Sequence, residues 1–239
     1  MSTLQAHNSK LGKRHARESA APPNFNRLAG AYRWLEYFTF GPWLARTRFT
    51  FLPRLANCRN ALVLGDGDGR FTARLLGANP TIRIHAIDAS PTMLRALVRR
   101  AGPHADRVAT QVADARLWRP DQDGDWDQPY DAIFTHFFLD CLTTTEILSM
   151  AETLRPSLSL SAVWVVSEFA VPPGLFGRVF ARPLIWGLYC VFGALTGLTV
   201  RTLPDHHLAL RAAGFSLEEH QTRLAGLLVS ELWSLSPGV

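Results

Sequence analysis

The chain has 239 residues, of which 47% are hydrophobic, and its formal net charge is +5 at pH 7. This length and composition predict one domain with an ordinary core plus additions. Its three cysteines, Cys58, Cys141 and Cys190, lie far apart without paired spacing. Neither a disulfide framework nor a zinc site is therefore predicted, and a cytoplasmic location fits. Residues 1–23 are polar, basic and lack the apolar core of a signal peptide, so we expect a disordered tail.

The positive charge is concentrated in the N-terminal part of the chain. Residues 1–59 contain ten lysines and arginines against two glutamates, a net of +8, whereas residues 60–239 contain fifteen against eighteen acids, a net of −3. Within residues 24–59, where we predict N-terminal helices that cap the core, arginines are mixed with aromatic residues. This mixture suits an anionic membrane surface and equally suits helices packed on the core. The two interpretations are compatible.

The first predicted strand, residues 61–64, runs directly into alternating glycines at Gly65, Gly67 and Gly69. An apolar run followed by such glycines predicts a buried parallel strand, a sharp turn and a helix that begins near Arg70. A second apolar strand, residues 82–87, then ends at Asp88. A carboxylate at that distance is placed to accept hydrogen bonds from the hydroxyls of a ribose. The chain is therefore predicted to bind a nucleoside.

The glycine spacing decides which nucleoside is expected. A dinucleotide site needs Gly-x-Gly-x-x-Gly, but here the third glycine comes one residue early and Arg70 takes the last glycine's place. This disfavours a nicotinamide-dependent oxidoreductase. Gly-x-Gly-x-Gly followed by a strand-end acid resembles the class I S-adenosylmethionine-dependent methyltransferases, over residues 55–235. The resemblance implies a Rossmann-like α/β fold: a mostly parallel seven-stranded sheet, helices on both faces and a C-terminal antiparallel hairpin.

The same resemblance implies S-adenosylmethionine as the cofactor and assigns residues to it. Asp88 is expected at the ribose, and Asp114 is expected to face the adenine amino group. The full set of expected cofactor-binding residues is Gly65, Asp66, Gly67, Gly69, Asp88, Ala89, Met93, Asp114, Ala115 and His136. One position departs from the family pattern, because Val63 stands where members usually carry an acid. Asp66 or Asp68 would then receive the ammonium of the methionine moiety, or the chain is a degenerate relative that binds cofactor weakly.

The elements downstream follow the order of the family. Ser90 and Pro91 are typical of an N-cap and a first helical residue, so a helix is predicted directly after Asp88. Further strands are predicted at residues 107–112, within 129–140 and at 161–168. Helices are expected to end at Leu154 and at Gly214. A closing hairpin is predicted from residues 216–224 and 227–235.

An apolar insertion, residues 172–203, separates the fifth strand from the last helix. Residues 183–200 carry no charge, a length at the lower limit for crossing a bilayer. A crossing is excluded by the fold, since the strand before the insertion and the hairpin after it must join one sheet. A buried helix, a lid over an apolar acceptor and a helix that dips into one leaflet remain open, and we favour a lid that also touches membrane.

These features predict a methyltransferase that acts on a small, apolar, quinone- or lipid-like acceptor at or near a membrane. Short motifs, among them residues 29–32 and 88–94, resemble most closely the C-methyltransferases of ubiquinone and menaquinone biosynthesis and their bacterial relatives. The alternative is a catalytically inactive, membrane-associated scaffold that keeps the cofactor site. Nucleic acid is not expected as a partner, because the motif of base-methylating enzymes is absent after the fourth strand.

Direct displacement at a sulfonium requires alignment of donor and acceptor, and a base only if the acceptor must lose a proton. His136 and Asp140 are the predicted catalytic residues, with His206 or His207 as further candidates. Each has a structural alternative: His136 lining the cofactor, Asp140 capping the next helix, and the other two on an exposed helix face. No metal is implied. The sequence leaves open which atom is methylated and the oligomeric state.

Overall fold

The computed structural model describes residues 42–123, 126, 128–187 and 202–236. Its strands are β1 (Asn60–Leu64), β2 (Arg83–Asp88), β3 (Val108–Val112), β4 (Tyr130–His136), β5 (Leu158–Phe169), β6 (Phe215–Arg223) and β7 (Leu228–Leu235). Its helices are α1 (Pro42–Arg48), α2 (Arg70–Ala78), α3 (Pro91–Ala101), α4 (Pro120–Asp123), α5 (Thr144–Leu154), α6 (175–187) and α7 (His206–Ala212).

The strands form one sheet in the order β3-β2-β1-β4-β5-β7-β6. The pairs β1–β2, β2–β3, β1–β4 and β4–β5 are parallel, and β7 runs antiparallel to both β5 and β6. The strand order reverses between β1 and β4, and ligands of open α/β sheets bind outside the carboxyl ends of the strands at such a point. The predicted doubly wound sheet with its closing hairpin is confirmed.

The core lies on both faces of the sheet because successive residues of a buried strand point to opposite sides. On one face, Leu62 and Ile133 pack with the α5 residue Ile147. On the other face, Val63 packs with the α2 residue Phe71. This two-sided burial explains why the central strands read as continuous apolar runs.

The helices begin where the sequence places capping residues. The Ser90 hydroxyl accepts a hydrogen bond from the Met93 N–H at 3.3 Å, and Pro91 is the first residue of α3. This N-cap was predicted. At α5, Thr143 and Glu146 form a reciprocal capping box, so Asp140 does not cap that helix. Residue Asp140 instead belongs to a 3₁₀ turn over Leu139–Cys141.

The two unusual regions of the sequence are described in part. Residues 1–41, which include the predicted tail and most of the predicted N-terminal helices, lie outside the described residues, as do residues 188–201 of the insertion. Residues Leu44, Phe51 and Leu55, from the described end of the N-terminal region, are buried against the domain. Among the described residues, no helix has both the length and the hydropathy needed to cross a membrane.

Helix α6 lies at the start of the insertion and buries only a narrow stripe of its surface. Its buried stripe consists of Gly177, Ala181 and Ile185, and the last two pack with residues such as Phe137 and Leu228. A Cβ at Gly177 would lie 1.7 Å from the carbonyl oxygen of Pro172, so only glycine allows this close approach. Apart from Ile185, the large apolar side chains of α6, such as Phe176, Phe180 and Trp186, are exposed.

Candidate active site

The loop between β1 and α2 contains three glycines, two of which are closely packed and one of which lies beside open space. Gly65, Gly67 and Gly69 have φ values of +68°, +59° and +79°, in the left-handed region that favours glycine. A Cβ at Gly65 would lie 2.4 Å from Cδ2 of Phe138, and one at Gly69 would lie 2.6 Å from Cα of Leu97. A Cβ at Gly67 would have no heavy atom within 4 Å. The first and third glycines therefore serve packing, whereas Gly67 leaves bare backbone beside open space.

Asp88 lies at the carboxyl end of β2, beside this loop. Its Oδ1 accepts a hydrogen bond from the Ser90 N–H at 2.8 Å, and the Gly67 N–H also donates to its carboxylate. Burial raises the pKa of Asp88 to about 6, against these hydrogen bonds and with a further contribution from the charge of Asp66. The carboxylate is thus held next to the open glycine, as the sequence predicted from strand order.

The acids inside the loop are used to fix it. The Asp66 carboxylate accepts hydrogen bonds from the N–H groups of Phe71 at 3.4 Å and Thr72 at 2.9 Å, at the start of α2. Burial raises the pKa of Asp66, and these hydrogen bonds oppose the shift. Asp68 forms ion pairs with Arg100 at 2.7 Å and Arg70 at 3.3 Å. Both acids therefore connect the loop to neighbouring helices, and neither is presented as an isolated receptor for an ammonium group.

The remaining predicted cofactor residues lie at the same edge of the sheet. The Ala113 N–H donates to the carbonyl of Asp88 at 3.2 Å, which joins the ends of β2 and β3. Asp114 accepts from the guanidinium of Arg116 through both oxygens, at 2.6–3.0 Å. Burial opposes ionisation of Asp114, but the hydrogen bonds from Arg116 outweigh it and lower the pKa.

Three further predicted residues complete this edge. Ala89 is exposed, Met93 is half-buried and Ala115 is buried. All three follow directly from the ends of β2 and β3 or from the first turn of α3. The structure therefore groups the predicted cofactor residues of the first three strands.

His136 is placed differently from the prediction for a base. Its ring is buried on the α2 face, with its centroid 4.2 Å from that of Phe71, and Nδ1 lies 2.9 Å from Oγ of Ser167. Burial, and then the charge of Arg48, lower its pKa well below the usual range. Its Nε2 has no hydrogen-bond partner in the described part of the chain. A buried neutral ring packed in this way does not reach the cavity described below.

Arg48, at the end of α1, is a feature that the sequence did not single out. It is buried, its guanidinium lies 5.1 Å from the ring centroid of Phe137, and its charge lowers the pKa values of Asp66 and His136. The sequence showed only one arginine among many in a basic region. Its burial depends on the packing of α1 against the sheet, which no local pattern reveals.

Two acids meet at the carboxyl ends of β4 and β5. Oε1 of Glu168 accepts hydrogen bonds from the N–H groups of Phe138 at 3.1 Å and Leu139 at 2.8 Å. Its Oε2 is buried and has no partner among the described residues. Burial, and then the neighbouring Asp140 carboxylate, raise the pKa of Glu168 well above its usual range. Burial also raises the pKa of Asp140 to about 6.

Asp140 was predicted and Glu168 was missed. Glu168 stands at the end of an apolar strand, which is the same signal that identified Asp88, so the sequence contained the information needed. The two acids have environments that disfavour ionisation, and they line one cavity. Perturbed carboxyl groups in a cavity mark a candidate site for proton transfer.

The cavity lies beside the insertion and has a volume of about 870 Å³. It is lined by residues from β5, α6, α7 and the segments between them, and by Asp140 from the turn Leu139–Cys141. The lining residues are Asp140, Glu168, Phe169, Ala170, Val171, Arg182, Pro183, Ile185, Trp186, Thr202, Leu203, Pro204, Asp205, His206 and His207. Three of the four predicted base candidates are therefore brought to one cavity, and His136 is not among its described lining residues.

Comparisons with known proteins agree with this architecture. The family described as a methyltransferase domain matches residues 62–160. The chain is 40% identical over 172 residues to trans-aconitate 2-methyltransferase of Streptomyces avermitilis. The aligned region covers 70% of this chain and 61% of that protein. The chain thus spans about three-fifths of the length of this curated relative.

Solved structures show the same fold at low identity. An O-methyltransferase family protein from Burkholderia thailandensis superposes with a TM-score of 0.67 at 15% identity, over 90% of this chain and 62% of that one. An S-adenosylmethionine-dependent methyltransferase solved in its apo form superposes with a TM-score of 0.63 at 19% identity, over 90% and 63%. The predicted class I methyltransferase fold is confirmed. The names of these three relatives do not point to the ubiquinone and menaquinone branch.

Proposed function

We propose that this chain is an S-adenosylmethionine-dependent methyltransferase whose acceptor is a small, largely apolar molecule with one ionisable group. The observation that carries the proposal is the juxtaposition of an open glycine, Gly67, with the Asp88 carboxylate at adjacent strand ends. The matching methyltransferase domain at residues 62–160 supports it. A scaffold without catalysis is the alternative, and turnover distinguishes the two.

The residues at this edge fit the cofactor. Gly67 leaves space for a ligand to approach the backbone, and the Asp88 carboxylate is oriented by the N–H groups of Ser90 and Gly67. Ribose hydroxyls are hydrogen-bond donors, so they favour the ionised form of Asp88. When bound, S-adenosylmethionine supplies the methyl group and its own leaving group. The chain therefore has to align the acceptor and exclude water.

The cavity beside the insertion is the proposed acceptor site. Its wall includes apolar side chains from Phe169, Ile185 and Trp186, and the acid pair Asp140 and Glu168 lies at the strand ends. The apolar part of an acceptor would pack against the apolar side chains, and its hydroxyl or amine group would donate a hydrogen bond to the acid pair. Two neighbouring carboxyl groups with raised pKa values disfavour a polyanionic acceptor at the same place.

Asp140 is the proposed general base of this site. The proton lost by an acceptor hydroxyl would pass to its carboxylate as the new bond to the methyl carbon forms. Glu168 is the proposed positioning residue, because its Oε1 is fixed by the N–H groups of Phe138 and Leu139. Burial and the charge of Asp140 both raise the pKa of Glu168, so ionisation of both carboxyl groups at once is disfavoured.

A small carboxylate acceptor is the second candidate. It is favoured by the relative named for trans-aconitate and by Arg182, a cation in the cavity wall. An acceptor of this kind would need its negative groups near Arg182 and away from the acid pair. The ubiquinone-like branch predicted from sequence belongs to the first candidate, since quinol precursors are apolar and carry ionisable hydroxyls.

The proposed location is the cytoplasm, peripheral to the inner membrane. Helix α6 exposes Phe180 and Trp186, with exposed fractions of 64% and 65%. Both Arg178 and Arg182 are also exposed on this helix. Large apolar side chains flanked by cations are typical of helices that lie in a membrane interface. Such a position would bring an apolar acceptor to the cavity that α6 lines.

The test combines binding and turnover. Calorimetry should detect S-adenosylhomocysteine and not NADH. Methyl transfer from labelled S-adenosylmethionine should then be measured with a hydroxylated quinone precursor and with trans-aconitate. Transfer to the first acceptor alone supports the proposal, whereas transfer to trans-aconitate alone supports the second candidate. Tight binding without transfer to either compound, or to an extract of membrane lipids, would favour the scaffold.

A further inference from the structure

A second cluster of chemically capable side chains borders the same cavity through His206 and His207. His206 and His207 are consecutive residues of α7, and both direct Nε2 at the carboxylate of Glu231 on β7. The distance from Nε2 to the carboxylate is 3.0 Å for His206 and 2.6 Å for His207. The three ligand-type atoms all lie within 4.8 Å of one another.

The cluster is held on rigid elements. Strand β7 lies between β5 and β6 in the sheet, where Glu231 is opposite Val166 and His220. The Glu231 side chain is 3% exposed, and the indole Nε1 of Trp233 donates to its Oε2 at 2.9 Å. A carboxylate ligand whose orientation is fixed by an outer hydrogen bond is a recurrent feature of metal sites.

The first turn of α7 is equally well anchored. The Asp205 side chain accepts from the Leu208 N–H at 2.9 Å, and the Asp205 N–H donates to Oγ1 of Thr144 on α5 at 2.9 Å. The two histidines that follow Asp205 are therefore held in place from both sides. The cluster therefore consists of two imidazoles and one carboxylate that hydrogen bonds hold in fixed positions.

We propose that His206, His207 and Glu231 bind a divalent transition-metal ion of the zinc or ferrous type. Two imidazole nitrogens with one carboxylate are a donor set for these ions, and they suit magnesium and calcium poorly. Three protein ligands leave at least one coordination position open. Both His206 and His207 line the cavity, so the open position faces it.

The consequence for substrate rests on the proposed function. An open position in the wall of the acceptor site would bind an anionic oxygen of the acceptor, such as a phenolate, an enolate or a carboxylate. The acid pair, which lines the same cavity, would then receive the proton from the reacting group. The metal would thus select acceptors that carry two oxygen functions, one bound and one methylated.

The sequence did not predict this site because adjacent histidines and a glutamate 24 residues later match no ligand spacing. Only the packing of α7 against β7 brings them together. The competing explanation is a hydrogen-bonded ion pair without metal, in which both imidazoles donate to Glu231. The two explanations differ in what happens when a metal is offered.

The experiment uses the full chain after treatment with a chelator. Titration with Zn²⁺ by calorimetry should give one site per chain, and Co²⁺ should produce the visible absorption bands of a site containing imidazole ligands. His206→Ala and His207→Ala should each weaken Zn²⁺ binding at least tenfold. His104→Ala is the matched control, because His104 lies in the turn Gly102–Arg107 before β3, at the opposite edge of the sheet from β6. It should bind Zn²⁺ as the parent does.

Two outcomes would overturn the inference. One is the absence of stoichiometric Zn²⁺ binding and of Co²⁺ bands in the folded parent. The other is equal affinity in the parent and in His207→Ala. The parent's Co²⁺ spectrum decides the question even if a ligand variant fails to fold. Binding of S-adenosylhomocysteine to the parent is measured in parallel. If the parent binds S-adenosylhomocysteine but no metal, only this inference is overturned. If the parent does not bind S-adenosylhomocysteine, the proposed function is overturned.

Discussion

The proposed cofactor edge and the proposed acceptor cavity are built in opposite ways. At the cofactor edge, the decisive groups are main-chain atoms of Gly67 and one carboxylate, Asp88, at neighbouring strand ends. In the cavity, the decisive groups are side chains from distant segments: Asp140, Glu168 and the consecutive residues His206 and His207. The first region is defined by turn geometry and the second by packing.

Recognition of a nucleoside and recognition of an acceptor therefore depend on different kinds of structure. A nucleoside is recognised by close approach to backbone, which a short run of glycines and a strand-end acid can encode. An acceptor is recognised by the shape and charge of a cavity, which depends on how an insertion folds over the sheet. Variants in the two regions should therefore fail differently.

Asp140→Asn should cause the largest loss, roughly 10²- to 10⁴-fold in turnover, with cofactor affinity little changed. The parent's rate should fall as the pH drops below about 6, because burial raises the pKa of Asp140 to about 6 and the base must be ionised. Asp121→Asn, at an exposed acid on α4, is the control. Methyl transfer measured from pH 5 to 8 tests this, and unchanged turnover in Asp140→Asn would remove the assignment.

Gly67→Val should abolish detectable binding of S-adenosylhomocysteine, a loss of more than about 100-fold. The branched side chain would occupy the open space beside the loop. The positive φ at position 67 would add roughly 1–2 kcal/mol of strain for a residue other than glycine. Gly69→Val should instead mainly destabilise the fold, because its Cβ would lie 2.6 Å from Cα of Leu97. Calorimetry and thermal unfolding of both variants would separate the effects. Equal losses of stability would contradict the distinction between the two glycines.

Asp88→Ala should weaken cofactor binding by roughly 1.5–3 kcal/mol, or about ten- to a hundredfold. The parent should also lose affinity as the pH falls through about 6, since the ionised carboxylate accepts the hydroxyl hydrogen bonds. For the free protein the sign is opposite. A raised carboxyl pKa means that the folded state holds the proton more tightly, so this group reduces stability as the pH rises through about 4 to 6.

Binding isotherms at pH 5 and pH 7 check the Asp88 assignment. Asp88→Ala should show a weaker pH dependence than the parent in addition to its lower affinity. If the variant binds S-adenosylhomocysteine as tightly as the parent, Asp88 does not contact the ribose. Asp106→Ala, at another acid that is distant in sequence from the loop, provides the comparison.

Trp186→Glu should have the smallest effect, roughly a three- to tenfold loss of retention on anionic vesicles. Raising the salt concentration should weaken capture of both proteins, because exposed charges are screened over about 10 Å at 0.1 M. Leu160→Glu is a matched control at a residue that is 97% exposed on β5. Vesicle flotation at two salt concentrations measures both contributions. If the folded parent does not bind vesicles, the membrane proposal fails, and α6 is then interpreted as a lid over a soluble acceptor.

Much of the fold was predictable because its signals are local. Apolar runs marked the central strands, Ser90 and Pro91 marked the start of α3, and the glycine spacing separated this loop from a dinucleotide site. The boundaries moved by a few residues, as with β5, which begins at Leu158 instead of 161. Strand ends depend on pairing with neighbours, and a single strand does not carry that information.

Local sequence signals were enough to place the successive strands along the chain, the glycine loop and Asp88 at a strand end, because apolar runs and glycines indicate burial and backbone conformation. The tertiary structure alone decided the roles of residues that meet across the fold. It buried Arg48 and His136, paired Asp140 with Glu168, and brought His206 and His207 to Glu231. Such groupings depend on helices packing against a shared sheet, so their chemistry arises from distances that no sequence interval measures.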